Sequence, residues 1–289
     1  MQQIKGFFSR TAIIVGIFFI QVVQSGQLSL AQETSFEVGV GLMDFDYVEY
    51  DDDNVFLDGE SGLIPGVIMK LKTNKRIYYE LEGSLYYNKI KYDGQTQSGI
   101  PITTKSDALI VDTHFKVGLN LEPSFGRKSK MYGGIGYRYW YRNILPTTIS
   151  SPLSFFNGSS VAGILEEYSW FYGLAGYAVH FNASNNVNVG LDFRLTKMID
   201  AKLDVDFLGF RGYDNNTLSL GNKIGARFAV PITVKTKKYP FFITPYFEII
   251  DIGKSNSVPL TQGGVSTGFG ILEPRSETRN VGVEVTWLW

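Results

Sequence analysis

The chain has 289 residues, of which 27 are Lys or Arg and 28 are Asp or Glu, so its formal net charge at pH 7 is −1. This balance gives no argument for a nucleic-acid or acidic partner. There is no Cys, which excludes disulfides and a lipidated N-terminal Cys. Phe, Tyr and Gly are abundant, with 21, 17 and 31 residues, and this composition favours an all-β chain.

The first predicted element is an N-terminal export signal. Residues 1–10 carry Lys5 and Arg10 and no acid, residues 11–23 form an apolar run, and residues 24–32 are mostly small and polar. The run is well short of the roughly 20 residues that a spanning helix needs, so cleavage is favoured over a membrane anchor. We expect residues 1–31 to be a cleaved signal peptide. Residues 32–289 then form a single mature domain in which the loss of Lys5 and Arg10 makes the net charge −3.

Ten strands with period-two alternation of apolar and polar residues follow the signal. Residues 109, 111, 115 and 117 of the fourth strand, for example, share an apolar face opposite Asp112, His114 and Lys116. Residues 166–181 are ambiguous, because aromatic side chains lie on both faces of that strand. The predicted strands cover residues 35–47, 62–72, 77–92, 106–121, 130–143, 166–181, 187–203, 218–234, 241–253 and 280–289.

The connections between these strands alternate strictly between short and long. The short ones are residues 73–76, 122–129, 182–186 and 235–240, and the long ones are residues 48–61, 93–105, 144–165, 204–217 and 254–279. Transmembrane barrels have short periplasmic turns and long extracellular loops, whereas a soluble sandwich has no reason to sort its loops by length. The predicted fold class is therefore an all-β, closed antiparallel transmembrane β-barrel of about ten strands, with eight or twelve as alternatives.

Charged residues recur on the face that this alternation assigns to the lumen. Acidic and basic side chains are nearly equal in number there, so the interior of a narrow barrel can form a closed ion-pair network. A lumen lined with one sign of charge would instead have indicated an ion-selective pore. The predicted structural network contains Glu80, Glu82, Asp112, His114, Lys116, Arg138, Arg142, Asp192, Arg194, Lys223, Arg227, Glu248 and Glu284.

The last strand carries the most specific pattern. Val281, Val283, Val285, Trp287 and Trp289 share one apolar face, while Glu284 lies on the other. This strand resembles the closing strand of bacterial outer-membrane β-barrels, in which the terminal aromatic and the alternation behind it are read by the barrel-assembly machinery. Residues 132–139, YGGIGYRY, are similar to strands of OmpA-like, opacity-type and porin-family barrels.

The resemblance implies a location and partners. It implies a multi-pass barrel in the outer membrane of a Gram-negative cell, assembled by that machinery and surrounded by outer-membrane lipid and lipopolysaccharide. Such strands recur with unrelated functions, so they indicate the fold and not the activity.

Asp112-Thr113-His114 is the sharpest enzymatic pattern. Its Asp-x-His spacing resembles that of omptins, which are ten-stranded outer-membrane proteases. However, it lies near the short turn that follows residue 121, so we interpret Asp112 and His114 as structural members of the lumen network. Asp51, Asp52 and Asp53 could bind calcium, but they lack the interleaved spacing of a calcium loop and are interpreted as a solvated loop tip. We expect no catalytic residue, metal or cofactor, and no nucleic-acid partner.

The predicted function is a structural or surface-interaction role through the extracellular loops. Residues 144–165 and 254–279 are the candidate sites for an extracellular ligand, because loops on a rigid scaffold carry recognition and these contain apolar residues such as Phe155, Phe156 and Phe269. A narrow porin for small solutes is the alternative. An omptin-like protease or a lipid A-modifying enzyme is the third hypothesis.

Overall fold

The computed structural model describes residues 34–289 except 74, 97–98, 125–126, 151–155 and 237–239, and the predicted signal peptide lies outside this part. No helix among these residues is long and apolar enough to cross a membrane. A single 3-10 turn covers Phe210–Gly212. The strands are β1 (Thr34–Tyr50), β2 (Phe56–Thr73), β3 (Ile77–Gln95), β4 (Pro101–Ser124), β5 (Arg127–Ile144), β6 (Thr147–Thr148), β7 (Ser160–Val161), β8 (Ile164–Asn182), β9 (Val187–Asp206), β10 (Asn216–Ser219), β11 (Ile224–Ala229), β12 (Ile232–Val234), β13 (Phe241–Ile252), β14 (Val258–Gln262), β15 (Val265–Ile271) and β16 (Arg275–Leu288).

Twelve of these strands form a closed antiparallel barrel with ten wall positions, and β6–β7 and β14–β15 form two separate hairpins. Strands β1 to β5, β8, β9, β13 and β16 each fill one position. Strands β10, β11 and β12 follow one another along β9 and together fill the remaining position. The wall closes where β16 pairs with β1, from Leu288 opposite Glu37 to Arg275 opposite Tyr50. The prediction of a ten-stranded antiparallel barrel is confirmed.

An apolar band surrounds the outside of the barrel at the end where the short turns lie. On β1, Val40 and Leu42 face outward and are 52% and 43% exposed, a surface that suits lipid. The next outward residues along β1 are Asp44 and Asp46. A polar collar continues around the barrel through Ser61, Lys89, Asp107, Asn143, Glu167, Lys197, Asp251 and Arg279.

Several strands extend well beyond this collar toward the long loops. The long connection predicted at residues 48–61 is in fact only the segment between Tyr50 and Phe56. Its predicted bounds were wrong because Asp44 and Asp46 face outward at the collar while Phe45 and Tyr47 face inward, so the apolar-out, polar-in alternation that marks the strand reverses there. The inward residues Glu49 and Glu60 nevertheless remain buried.

A bulge in β9 explains why Lys223 is not a lumen residue, contrary to the prediction. Asp200 has a φ of 52°, which L side chains rarely adopt. The inward-facing residues before and after it, Met198 and Ala201, are three residues apart, whereas in a regular strand they would be two apart. The wall strand beside β9 is interrupted at the same height, between Ser219 and Ile224. Lys223 lies in this interruption, and its side chain is exposed. The inward–outward alternation of a continuous strand therefore cannot be extended to this residue.

Glycines in the wall make room for inward tyrosines. Tyr132 lies directly opposite Gly176 on the neighbouring strand, and a methyl group on that glycine would overlap the tyrosine ring. The ring therefore lies flat along the wall and does not cross the lumen. The pairs of this kind are Tyr78–Gly118, Tyr86–Gly66, Tyr132–Gly176, Tyr172–Gly136 and Tyr246–Gly282.

Candidate functional site: the filled lumen and the loop platform

An ion-pair network crosses the middle of the lumen. Arg138 Nε donates to Asp112 Oδ2 at 2.7 Å, and Arg138 Nη2 donates to Glu248 Oε2 at 3.0 Å. Glu248 Oε1 also lies 3.4 Å from Arg194 Nη2. Burial of these charges is tolerable because each has a partner of opposite sign.

A second branch of the network joins β2, β3 and β16. Glu284 accepts hydrogen bonds from Lys70 Nζ at 3.0 Å and from Arg227. Lys70 Nζ also lies 3.3 Å from Glu82 Oε2, so one cation serves two carboxylates. The predicted residues that line the middle and short-turn part of the lumen are Glu80, Glu82, Asp112, His114, Lys116, Arg138, Asp192, Arg194, Arg227, Glu248 and Glu284.

Asp112 and His114 lie inside this network. His114 Nδ1 is 3.2 Å from Asp112 Oδ1, which also accepts a hydrogen bond from Tyr172 Oη at 2.8 Å. His114 is 4% exposed. Arg138 donates to Asp112 Oδ2, and Arg194 Nη1 lies 3.3 Å from His114 Nε2, so both residues of the pair contact cations of the network.

An aromatic layer fills the lumen between the network and the long-loop end. The Trp140 ring is stacked on Tyr168 with centroids 4.7 Å apart, and it meets Phe45 and Tyr47 edge-on at 5.4 and 4.9 Å. These four side chains are at most 2% exposed. The cavity between this layer and the network measures about 30 Å³, roughly the room of one water molecule.

A cluster of carboxylates surrounds Arg142 above the aromatic layer. Its guanidinium donates to Glu60 at 2.9 Å, to Glu49 at 2.9 Å, to Glu166 at 2.7 Å and to Asp58 at 3.1 Å. Arg142 is 1% exposed. We call these five residues, together with Glu273, the upper cluster. Arg142 thus faces inward as predicted, but it is separated from the other residues of the predicted network by the aromatic layer.

Glu273 connects the longest loop to the upper cluster. It follows β15 in the chain, and Oε1 accepts hydrogen bonds from Tyr168 Oη at 2.7 Å and from Tyr47 Oη at 3.1 Å. Burial, followed by the charge of Glu166, raises the pKa of Glu273 to about 8. Burial also raises the pKa values of Glu49, Glu60 and Glu166. Glu273 therefore keeps its proton to a higher pH than an exposed carboxyl group does.

The short-turn end of the lumen holds a cavity of about 310 Å³, which we call the lower cavity. Its lining includes Lys128, whose side chain is exposed, so the cavity communicates with solvent. Basic side chains outnumber acidic ones in its wall. The charged lining residues are Glu37, Lys70, Lys72, Glu80, Glu82, Lys116, Lys128, Lys130, Asp192, Arg194, Arg227 and Glu284.

At the opposite end, residues 207–215 and the β14–β15 hairpin form an ordered surface that we call the loop platform. The Asp214 carboxylate accepts hydrogen bonds from Gly263 N at 3.1 Å and from Gly264 N at 2.8 Å, the latter being the main cause of its lowered pKa. Gln262 Nε2 donates to the carbonyl of Arg211 at 2.7 Å. The platform presents exposed apolar side chains, namely Leu208, Phe210, Val265 and Phe269, next to Leu272.

The structure describes all of residues 254–279 but only part of residues 144–165, the two loops predicted to contact a ligand. Residues 254–279 supply the β14–β15 half of the loop platform, and Phe269 there is 74% exposed. In residues 144–165, the short pair β6–β7 leads to Phe156, which is 48% exposed. Phe155 lies outside the described residues.

The apolar residues of the last strand face outward. Val281, Trp287 and Trp289 are 56%, 41% and 78% exposed, and Val283 and Val285 lie on the same side between them. The backbone N–H of Trp289 donates to the carbonyl of Phe36 at 2.9 Å, which continues the pairing of the last strand with β1. Recognition of these residues by an assembly machinery stays a prediction.

Most of the upper cluster was missed in the sequence, although a signal for it exists. Phe45, Tyr47 and Glu49 continue one inward phase past the end predicted for β1, and Asp58 and Glu60 do so before the start predicted for β2. Following the phase beyond the apolar residues would have found these three acids. Glu273 has no such signal, because it belongs to no strand.

Comparisons with known proteins bear on the fold alone. No protein-family model matches the chain, and no curated protein matches it in sequence. The outer membrane protease OmpT from Escherichia coli is similar in structure, with a TM-score of 0.58 and 9% identity over 92% of this chain and 100% of that chain. The translocator domain of the autotransporter NalP from Neisseria meningitidis has a TM-score of 0.40 and 10% identity, over 94% of this chain and 95% of that chain. The fold is that of an outer-membrane β-barrel.

Proposed function

We propose that this chain is an integral outer-membrane barrel of a Gram-negative cell that acts in surface interaction through its loop platform. The short turns then face the periplasm and the loop platform faces outward. The apolar band contacts lipid, the collar lies at the level of the lipopolysaccharide headgroups, and the last strand is the segment read by the assembly machinery.

The filled lumen is the observation that carries this proposal. The aromatic layer and the ion-pair network succeed one another along the barrel, with a cavity of only about 30 Å³ between them. A solute passing through would have to displace buried rings and break paired charges. The lumen is therefore built to hold the barrel together, which favours a function on its outer end over conduction.

The same arrangement favours a non-enzymatic role. The Asp112–His114 pair is buried below the aromatic layer, whereas a protease of the omptin type needs its catalytic groups within reach of a peptide outside the cell. The exposed groups of the loop platform are apolar, and large exposed apolar patches commonly mark interaction sites.

Planar-bilayer recording separates this proposal from the porin alternative. The purified barrel inserted in a lipid bilayer should give no stepwise current. Stepwise openings of uniform size would reject the filled-lumen argument and favour a porin.

A pair of matched variants tests the loop platform. Val265→Ser with Phe269→Ser should abolish the aggregation of cells that display the protein and their retention on an alkyl-coated surface, because it removes the most exposed apolar groups of the platform. Val55→Ser with Phe56→Ser changes comparably exposed residues near the same end and should leave both readouts unchanged. Equal effects of the two pairs at equal surface display would contradict a role specific to the platform.

A further inference from the structure

The lower cavity has features that the surface role does not use. Seven basic and five acidic side chains line it, which is an excess of two positive charges. A partly enclosed cavity lined by an excess of one sign concentrates counter-ions of the opposite sign. The excess therefore predicts the sign of the charge that the cavity holds.

The charged lining residues outside the ion pairs of the described residues are Lys128, Lys130 and Asp192, the last of which accepts a hydrogen bond from Tyr132 Oη at 2.6 Å. Lys70 and Lys116 each lie within 4 Å of carboxylates of the network, and Lys72 pairs with Glu37. Lys128 and Lys130 form no ion pair with a carboxylate in the part of the chain that the structure describes, and Lys130 Nζ instead lies over the Tyr78 ring at 5.2 Å.

Two further lining residues carry polar atoms without a partner. His180 Nδ1 and Asn188 Oδ1 are buried and form no hydrogen bond with the described residues. Such groups in a folded protein call for a partner from solvent or from a ligand. His180 follows Ala178 on the inward face of β8, and Asn188 begins the inward face of β9, so both face the cavity near Lys128 and Lys130.

We propose that the lower cavity is a binding site for a small phosphate monoester that enters from the short-turn end. Ammonium groups are strong donors to phosphate oxygens, and the two lysines without carboxylate partners match the charge of a phosphate dianion. The volume of about 310 Å³ corresponds to about ten water molecules at roughly 30 Å³ each, which is room for a phosphate with a small organic group. The ion-pair network, with the aromatic layer beyond it, closes the other end of the cavity, so the ligand binds and leaves by the same opening.

Titration calorimetry with the folded, full-length barrel in a zwitterionic detergent tests this site. Glycerol 3-phosphate and inorganic phosphate should each bind saturably and compete with one another, whereas glycerol should not bind. Phosphatidic acid added in mixed micelles tests a lipid source of the same group. Competition by this lipid at or below the concentration at which glycerol 3-phosphate acts would overturn entry of a small soluble ester from the short-turn end.

Paired lysine variants give the matched control. Lys128→Gln with Lys130→Gln should weaken glycerol 3-phosphate binding at least tenfold. Lys89→Gln with Lys91→Gln changes two lysines at the same spacing on the outer face of β3 and should leave binding unchanged. Heat-modifiable gel mobility confirms that each variant is folded. Absence of saturable binding to the wild type, or equal weakening by both pairs, would overturn the proposal, which stands independently of the loop platform.

Discussion

The two ends of the lumen are both rich in charge, but they accommodate it differently. In the upper cluster, four carboxylates share the single guanidinium of Arg142, and Glu273 lies beside them on two tyrosine hydroxyls. At the lower cavity, cations exceed anions and solvent reaches the wall. The long-loop end is thus packed and acidic, and the short-turn end is open and basic.

This difference follows from the chemistry of the groups. Burial and mutual repulsion raise the pKa values of an excess of carboxylates, as at Glu273, so that proton uptake relieves the excess charge. An excess of lysines is relieved where the ammonium groups reach water or an anion, and Lys128 is exposed. The stability of the packed end is therefore expected to depend on pH and on Arg142. The stability of the open end is expected to depend on dissolved anions.

The largest effect is expected from Arg142→Met, which breaks the packed end. It leaves four carboxylates, three of them buried, without their common cation, and such a loss costs about 3–5 kcal/mol of unfolding free energy. Arg227→Met is the control in the other network, where Glu284 keeps Lys70 at 3.0 Å, so a smaller loss of about 1–3 kcal/mol is expected. Urea unfolding in lipid vesicles measures both, and an equal or larger loss for Arg227→Met would contradict the comparison.

A second effect, dependent on pH, is expected at Glu273. Its pKa is raised by burial to about 8 from an ordinary value of 4.5, so the folded state binds more protons than the unfolded chain between these pH values. Its contribution to stability is complete below pH 4.5 and is lost as the pH rises through about 8. Within this window the unfolding free energy falls by up to about 1.4 kcal/mol for each unit of pH increase, the value for one proton.

Glu273→Gln isolates this contribution. The difference in unfolding free energy between wild type and Glu273→Gln should vary across that window, because the variant has no carboxyl to titrate. Glu277→Gln, on the outer face of β16, should leave the pH dependence of the wild type unchanged. If the wild type and Glu273→Gln showed the same pH dependence of the urea midpoint, proton retention by Glu273 would be refuted.

The sequence predicted the wall of the barrel better than its contents. Alternation located all ten strand positions, since lipid on one side of a strand and a polar lumen on the other produce period two. It failed from the collar onward, where Asp44 and Asp46 face outward and Phe45 and Tyr47 face inward. It failed also at Lys223, because a single bulge at Asp200 changes the phase of β9 and interrupts the strand beside it.

The candidate site was less predictable because it depends on contacts between distant elements. Alternation along each strand predicted that Arg138 and Glu248 face the lumen. It could not predict that they pair with one another, because they are 110 positions apart in the chain. The sequence did not predict that Trp140 and Tyr168 divide the lumen, because β8 carries aromatic residues on both of its faces. Glu273 reaches the upper cluster from the segment between β15 and β16, where its backbone is hydrogen-bonded to Ser255, so no strand alternation predicts its direction.

The smallest stability effect is expected from Gly176→Ala, which tests why the lower end stays open. Tyr132 lines the lower cavity and lies flat because Gly176 opposite it has no side chain. A methyl group there should push the ring toward the lumen and cost about 1–3 kcal/mol, the usual range for overpacking. Gly173→Ala on the same strand is the matched control, because its added carbon would have no heavy atom within 4 Å. The two urea midpoints decide the matter: equal midpoints would mean that the wall yields freely, and that glycine opposite tyrosine does not keep the short-turn end open.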